Sequence, residues 1–193
     1  MAEGRYRPPD RSKYLLQDEI KVLLKASEGI GPFENHFLRF SVNTGARPSE
    51  VNEVRAASFH QSENRVRVRT LKQKSVEGKP PRDVIRDVDL SPDYAKHLAT
   101  WTRGKASNEL LFPRSRQTLW TIFKKAAQMA GLSETYTLYS LRHSRCIYLL
   151  EWTKDLPYVS QQMGHSSLDV TKVYLHCLPS KREEYVKTKL GTF

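Results

Sequence analysis

Cysteine is scarce in this chain: Cys146 and Cys177 are the two among 193 residues. Two cannot form a disulfide framework for a protein this size, and each lies in an apolar or helical context that suits a buried thiol, which fits a reducing cytoplasm. Long apolar runs are also missing. No segment approaches the ~20 residues needed to cross a bilayer, and the opening MAEGRYRPPDRSKY has no apolar signal-peptide core. The expectation is a soluble, cytoplasmic protein without a membrane partner. Internal repeats and low-complexity segments are absent too. Acidic residues are in deficit, 21 Asp and Glu against 32 Lys and Arg, for a formal charge of +11. A compact domain with that excess attracts polyanions; nucleic acid leads, with anionic lipid or plain solubility as alternatives.

The length suits one substantial domain. Residues 1–13, with Pro8-Pro9, read as a linker or N-terminal arm, and 14–193 as the domain. Ile20, Leu23 and Leu24 recur at helical spacing after Gln17-Asp18-Glu19, and Phe33, Phe37 and Phe40 mark a second helix ending near NTG. A third opens at Pro48, which suits a first helical position, with Glu50 in its first turn. The period then changes. RVRVRT (65–70) alternates strictly, and RDVIRDVDL (82–90) pairs with it as a hairpin across the lysine-rich LKQKSVEGKPP. Everything after Ser91-Pro92 reads as helix: about 92–103, 116–130 closed by Gly131, 140–152, 156–163, 167–176 and a last one near 180–190. The expected fold class is α+β, mostly helical, with a small antiparallel β-sheet.

Three places carry candidate chemistry. In TGARPSEV (44–51), Arg47 falls at a helix start, where unpaired N–H groups and the dipole favour an anion over a cation. A phosphate bound there would explain it; so would pairing with Glu50 or Glu53, or a side chain that snorkels into solvent. In TLYSLRHSRCIYLL (137–150), with Ser140 as N-cap, Arg142, His143 and Arg145 crowd another helix start. In MGHSSLDVTKVYLH (163–176), Ser166 and Asp169 form a capping pattern that leaves His165 just outside the helix and Tyr174 about two turns in. A tyrosine so placed packs in a core, unless cations gather to stabilise its anion and make it a nucleophile. Metal is not expected, because His165, His176 and Cys177 lack a second close ligand pair.

In this order and at these intervals, TGARPSEV, a lysine in a β-hairpin, LYSLRH and MGHSSLDVTKVY resemble the tyrosine recombinases, or phage integrases, from about Lys13 onward. The resemblance implies the tyrosine recombinase catalytic-domain fold and site-specific DNA strand exchange through a 3′-phosphotyrosyl link, needing neither metal nor cofactor. It implies that Arg47 and Arg142 clamp the scissile phosphate, that Lys72 (or Lys74) protonates the leaving 5′ oxygen, that His165 hydrogen-bonds the phosphate and that Tyr174 attacks. Glu50 would support the first arginine.

Two departures stand out. The family usually has histidine three residues before its second arginine, and this chain has Tyr139, a poor proton acceptor at neutral pH. His143 could be mistaken for a substitute base, yet its side chain leaves the helix about 100° from Arg142 and reads as structural. The chain also has no room for the family's N-terminal clamping domain, so it is either a catalytic domain from a longer protein, which the linker-like start favours, or a short single-domain member like the fimbrial inversion recombinases. Double-stranded DNA is the implied partner, bound by a solution monomer that forms a tetramer on two duplexes, with 178–193 (Tyr185, Val186, Leu190) meeting a neighbour. The rival readings are a type IB topoisomerase-like nicking and resealing enzyme and a DNA-binding regulator with a dead site.

Overall fold

In the computed structural model, residues 13–70 and 84–175 are described. Lys72 and Lys74, His176 and Cys177, and the expected final helix lie outside them. The described elements are α1 (Gln17–Glu28), α2 (Pro32–Thr44), α3 (Pro48–Val51), β1 (Phe59–His60), β2 (Arg65–Thr70), β3 (Val84–Asp89), α4 (Pro92–Thr102), α5 (Arg116–Met129), α6 (Leu138–Thr153), α7 (Leu156–Met163) and α8 (Leu168–Lys172). The mostly helical α+β class and the hairpin hold. Strand β1 adds a short edge, giving an antiparallel sheet in the order β1-β2-β3.

Alternation does in the sheet what the pattern predicts. Val66 and Val68 are buried while Arg65 and Arg67 face out and pair across the ladder with Asp89 and Asp87. The same alternation turns Arg86, paired with Val68, to the inner face, where an arginine needs strong partners. Helix α4 begins at Ser91, whose hydroxyl accepts the Tyr94 N–H, and α7 at Asp155, whose carboxylate accepts the Tyr158 N–H.

Two apolar clusters hold the fold. The larger gathers Leu23 of α1, Phe37 and Phe40 of α2, Val66 and Val68, Leu98 of α4, and Leu119 and Phe123 of α5. At its edge the ring of His36 stacks on His97 and Trp101, with centroids 4.5 and 4.6 Å away. The smaller cluster joins α6 and α7 through Cys146, Ile147, Leu150, Val159 and Met163, and includes Tyr174. Ser144 and Tyr148 of α6 bind the backbone of Leu15, fixing the segment before α1 against α6. Among the described residues, no helix is long and apolar enough to cross a membrane.

Helix α6 starts earlier than the sequence suggests. Its N-cap is Thr137, and Ser140 sits at the third helical position, its hydroxyl accepting the Thr137 N–H at 3.0 Å. Arg142 therefore lies in the second turn, beyond the reach of the helix start. Helix α8 is shorter than expected, with five residues and Ser167 rather than Ser166 as N-cap. Tyr174 lies past its end in a tightened turn, its N–H bonded to the Thr171 carbonyl at 3.0 Å.

Candidate active site

The sequence places its arginines near helix starts, but their guanidiniums lie at helix ends. Arg142 donates one hydrogen bond to Gly45 O and another to Met163 O, each 2.6 Å long. Gly45 caps α2 and Met163 ends α7, so this guanidinium meets carbonyls left unpaired at two C-termini, where the dipole is negative. Arg47 donates to Gly164 O at 3.4 Å, and Arg86 to Gln162 O at 3.0 Å. Three consecutive carbonyls at the end of α7 thus each receive an arginine. Helix α7 is itself fixed to the sheet by Gln162, whose side chain bonds the backbone and carboxylate of Asp89.

Glu50 ties the group together. It is fully buried; one oxygen accepts from Arg47 Nη1 at 2.6 Å, and the other from Arg86 Nη2 at 2.8 Å and the Arg47 N–H at 2.9 Å. Burial disfavours its charge, but Arg86 and Arg47 outweigh that and hold its pKa below the usual carboxylate value. Arg47 thus makes both the pairing with Glu50 and the turn at Pro48 that the sequence suggests. A single turn of helix contributes little dipole, so these side-chain partners fix the guanidinium. Arg142, buried and bound to carbonyls, has its pKa pushed down to about 10, chiefly by burial and then by Arg47. It remains charged at neutral pH. Two guanidiniums paired with Glu50 and a third within its electrostatic reach leave the cluster positive.

Gly45 and Gly164 let the backbone come this close. Both have positive φ, 60° and 63°. A Cβ on Gly45 would stand 2.8 Å from Met163 Cε, and one on Gly164 2.8 Å from Arg86 Nη1.

Tyr174 sits between two imidazoles. Its hydroxyl is 2.7 Å from His143 Nδ1, and its ring stacks on His165 with centroids 6.4 Å apart and planes at 6°. Only 6% of the residue is exposed. His165 Nδ1 is 2.7 Å from Thr171 Oγ1. With threonine as donor, Nε2 keeps its proton and can donate to an anion. Burial, then the charges of Arg142, Arg47 and Arg86, push the pKa of His165 down to about 3. The pKa of His143 is lowered as well, by burial and then by Arg142 and Lys13. Both rings are neutral at pH 7.

Arg47, Glu50, Arg142, His165 and Tyr174 therefore come together. Tyr139 is 40% exposed and lines a cleft of about 470 Å³ with Pro48, Arg116 and Trp120. Arg145 turns elsewhere; it is half-buried, within electrostatic reach of Tyr158 and Asp89. The sequence reading missed Arg86 and Thr171 and gave His143 a purely structural place. Arg86 left a signal, since the alternation of VIRDVD aligns it with the inward Val88. Thr171 left none beyond helical proximity to Tyr174.

Comparison with known proteins places the chain in a family. The chain is 29% identical over 202 residues to tyrosine recombinase XerD of Chlorobaculum tepidum, covering 96% of this chain and 62% of that protein. It is 26% identical over 186 residues to XerD of Halalkalibacterium halodurans, covering 89% and 60%. The chain thus spans less than two thirds of the length of either relative. The fold superposes on the XerH site-specific recombinase bound to difH substrate with a TM-score of 0.71 at 22% identity, covering 92% of this chain and 54% of that one. Residues 13–181 match the Phage integrase family, and the chain belongs to that family.

Proposed function

We propose that this chain is the catalytic part of a site-specific DNA recombinase that cleaves and rejoins DNA through a 3′-phosphotyrosyl intermediate. The supporting observation is the convergence of Arg47, Arg142 and His165 on the turn that carries Tyr174. A largely buried cluster of cationic donors beside a phenol suits a phosphodiester in flight, because fixed donors stabilise charge that builds on the non-bridging oxygens. Arg47 and Arg142 clamp those oxygens and His165 Nε2 donates to one of them. The Tyr174 oxygen attacks phosphorus, and the 5′ oxygen leaves with a proton from Lys72 or its near neighbour Lys74. Glu50 positions Arg47. Tyr139, at the cleft mouth, contacts the DNA beside the scissile phosphate. The bond energy is kept in the tyrosyl link, so rejoining needs no nucleotide cofactor.

The partner is duplex DNA, bound through phosphate contacts whose strength falls steeply with salt. The protein binds as a monomer and assembles as a tetramer on two duplexes. Incubation with a pool of nicked duplexes of randomised sequence tests the reading. A covalent protein–DNA adduct that survives denaturation and disappears in Tyr174→Phe is expected. Failure of the wild type to form one on any duplex rejects it. Adducts that resolve only to relaxed plasmid, without joining two sites, would instead indicate a topoisomerase.

A further inference from the structure

The geometry points to His143 as the catalytic base that takes the proton of Tyr174, the role left vacant by tyrosine at position 139. The inference rests on the proposed phosphotyrosyl chemistry. Its ground is positional: His143 Nδ1 lies 2.7 Å from the Tyr174 hydroxyl, a hydrogen bond to the reacting atom itself. General-base catalysis asks first for that distance and then for a neutral acceptor.

The neighbours leave no better candidate among the described residues. His165 stacks on the tyrosine ring face, and its Nδ1 is engaged by Thr171. With its pKa near 3, it is a weak base. Tyr139 is exposed at the cleft, and its phenol is a poor proton acceptor at neutral pH. The 100° turn between Arg142 and His143 on α6 is what divides the labour. Arg142 reaches the carbonyls at the end of α7, while His143 faces the turn after α8.

The charged and titratable groups around His143 are Arg142 on its own helix, Lys13 before α1, and Tyr174 and His165 from the α8 side. Burial, then Arg142 and Lys13, keep the imidazole neutral, and with its proton on Nε2 the Nδ1 atom accepts from the phenol. In the forward step the phenolic O–H bond breaks as the Tyr174 oxygen–phosphorus bond forms, and the proton passes to His143 Nδ1. The phosphorus–5′ oxygen bond breaks, and that oxygen takes a proton from the lysine general acid. The negative phosphate offsets the imidazolium. Rejoining reverses both transfers.

The test measures single-turnover adduct formation on a trapping duplex, from about pH 5 to about pH 9, for the wild-type chain, His143→Gln and His143→Ala. A fall of roughly 100- to 10,000-fold is expected in His143→Gln, with DNA binding and thermal melting unchanged. The acid limb of the wild-type profile should vanish, and added imidazole should restore part of the His143→Ala rate. A substrate with sulfur at the bridging 5′ position, whose leaving group needs no proton, should not rescue either variant. A His143→Gln rate within about threefold of wild type, or full rescue by the sulfur substrate, overturns the assignment while leaving the recombinase reading intact. If His143→Gln misfolds, the imidazole response of His143→Ala decides alone, and a flat response refutes the base. No wild-type adduct on any duplex takes both proposals down.

Discussion

Two halves of the site are held in opposite ways. The guanidinium knot of Arg47, Arg86 and Arg142 is tied by Glu50 and by backbone carbonyls from two helix ends, buried and bonded on nearly every side. The seat of Tyr174 is made of neutral side chains: a hydrogen bond to His143 and a stack on His165, which is itself held by Thr171. Buried charges cannot be moved cheaply, because each unpaired ion costs several kcal/mol. A phenol between neutral imidazoles can be moved for about 1 kcal/mol per hydrogen bond exchanged. The half that binds phosphate is fixed, and the half that must change its bonds during reaction is exchangeable.

The contrast can be broken most forcefully at the knot. Glu50→Gln should destabilise the chain by about 3–5 kcal/mol in urea unfolding, because Arg86 and Arg47 then face each other without a carboxylate. A loss under about 1 kcal/mol would mean that the helix-end carbonyls suffice. Acid attacks the seat instead. His165 has its pKa near 3 and His143 is lowered, and at the edge of the large core His36 is lowered to about 4 and His97 is also lowered. For such groups the unfolded chain takes up protons first, so stability is complete above the ordinary value of 6.5 and is lost as pH falls toward the folded pKa. After discounting for solvent contact, a loss on the order of 3 kcal/mol is expected between pH 6.5 and 4. The measurement is urea unfolding across that range, and a flat profile would show that the imidazoles are charged in the fold.

Gly164 belongs to the knot as well, since its carbonyl meets Arg47 and a Cβ added to it would stand 2.8 Å from Arg86 Nη1. Gly164→Ala should cost about 1–3 kcal/mol through positive φ and the clash with the guanidinium. Its melting temperature would report this, and a neutral result would show that Arg86 swings aside freely. The smallest effect belongs to the seat. Tyr174→Phe should cost no more than about 1 kcal/mol, and a larger loss in its unfolding midpoint would erase the distinction between the halves.

Much of this was readable before any coordinates. Apolar spacing located α1 and α2, boundary signals such as Ser91-Pro92 and Gly131 located α4, α5 and α7, and alternation gave the hairpin. The convergence of Arg47, Arg142, His165 and Tyr174 followed from the family resemblance, since local spacing says nothing about which distant turns meet. Local signals misled at two places. Ser140 looks like a cap but serves Thr137, the true one, and Ser166 yields to Ser167. Arg86 stays unassigned and His143 reads as structural from sequence, because their meaning depends on partners from other elements, a carboxylate on α3 for one and a phenol after α8 for the other.

The end of α7 works as a comb with three teeth: the carbonyls of Gln162, Met163 and Gly164 engage Arg86, Arg142 and Arg47 in turn. Inserting or deleting one residue in that turn would shift every tooth by a position and misalign all three cations together. The spacing between Gln162 and His165 is therefore a ruler for the whole site, and its length has to stay constant even where its side chains change.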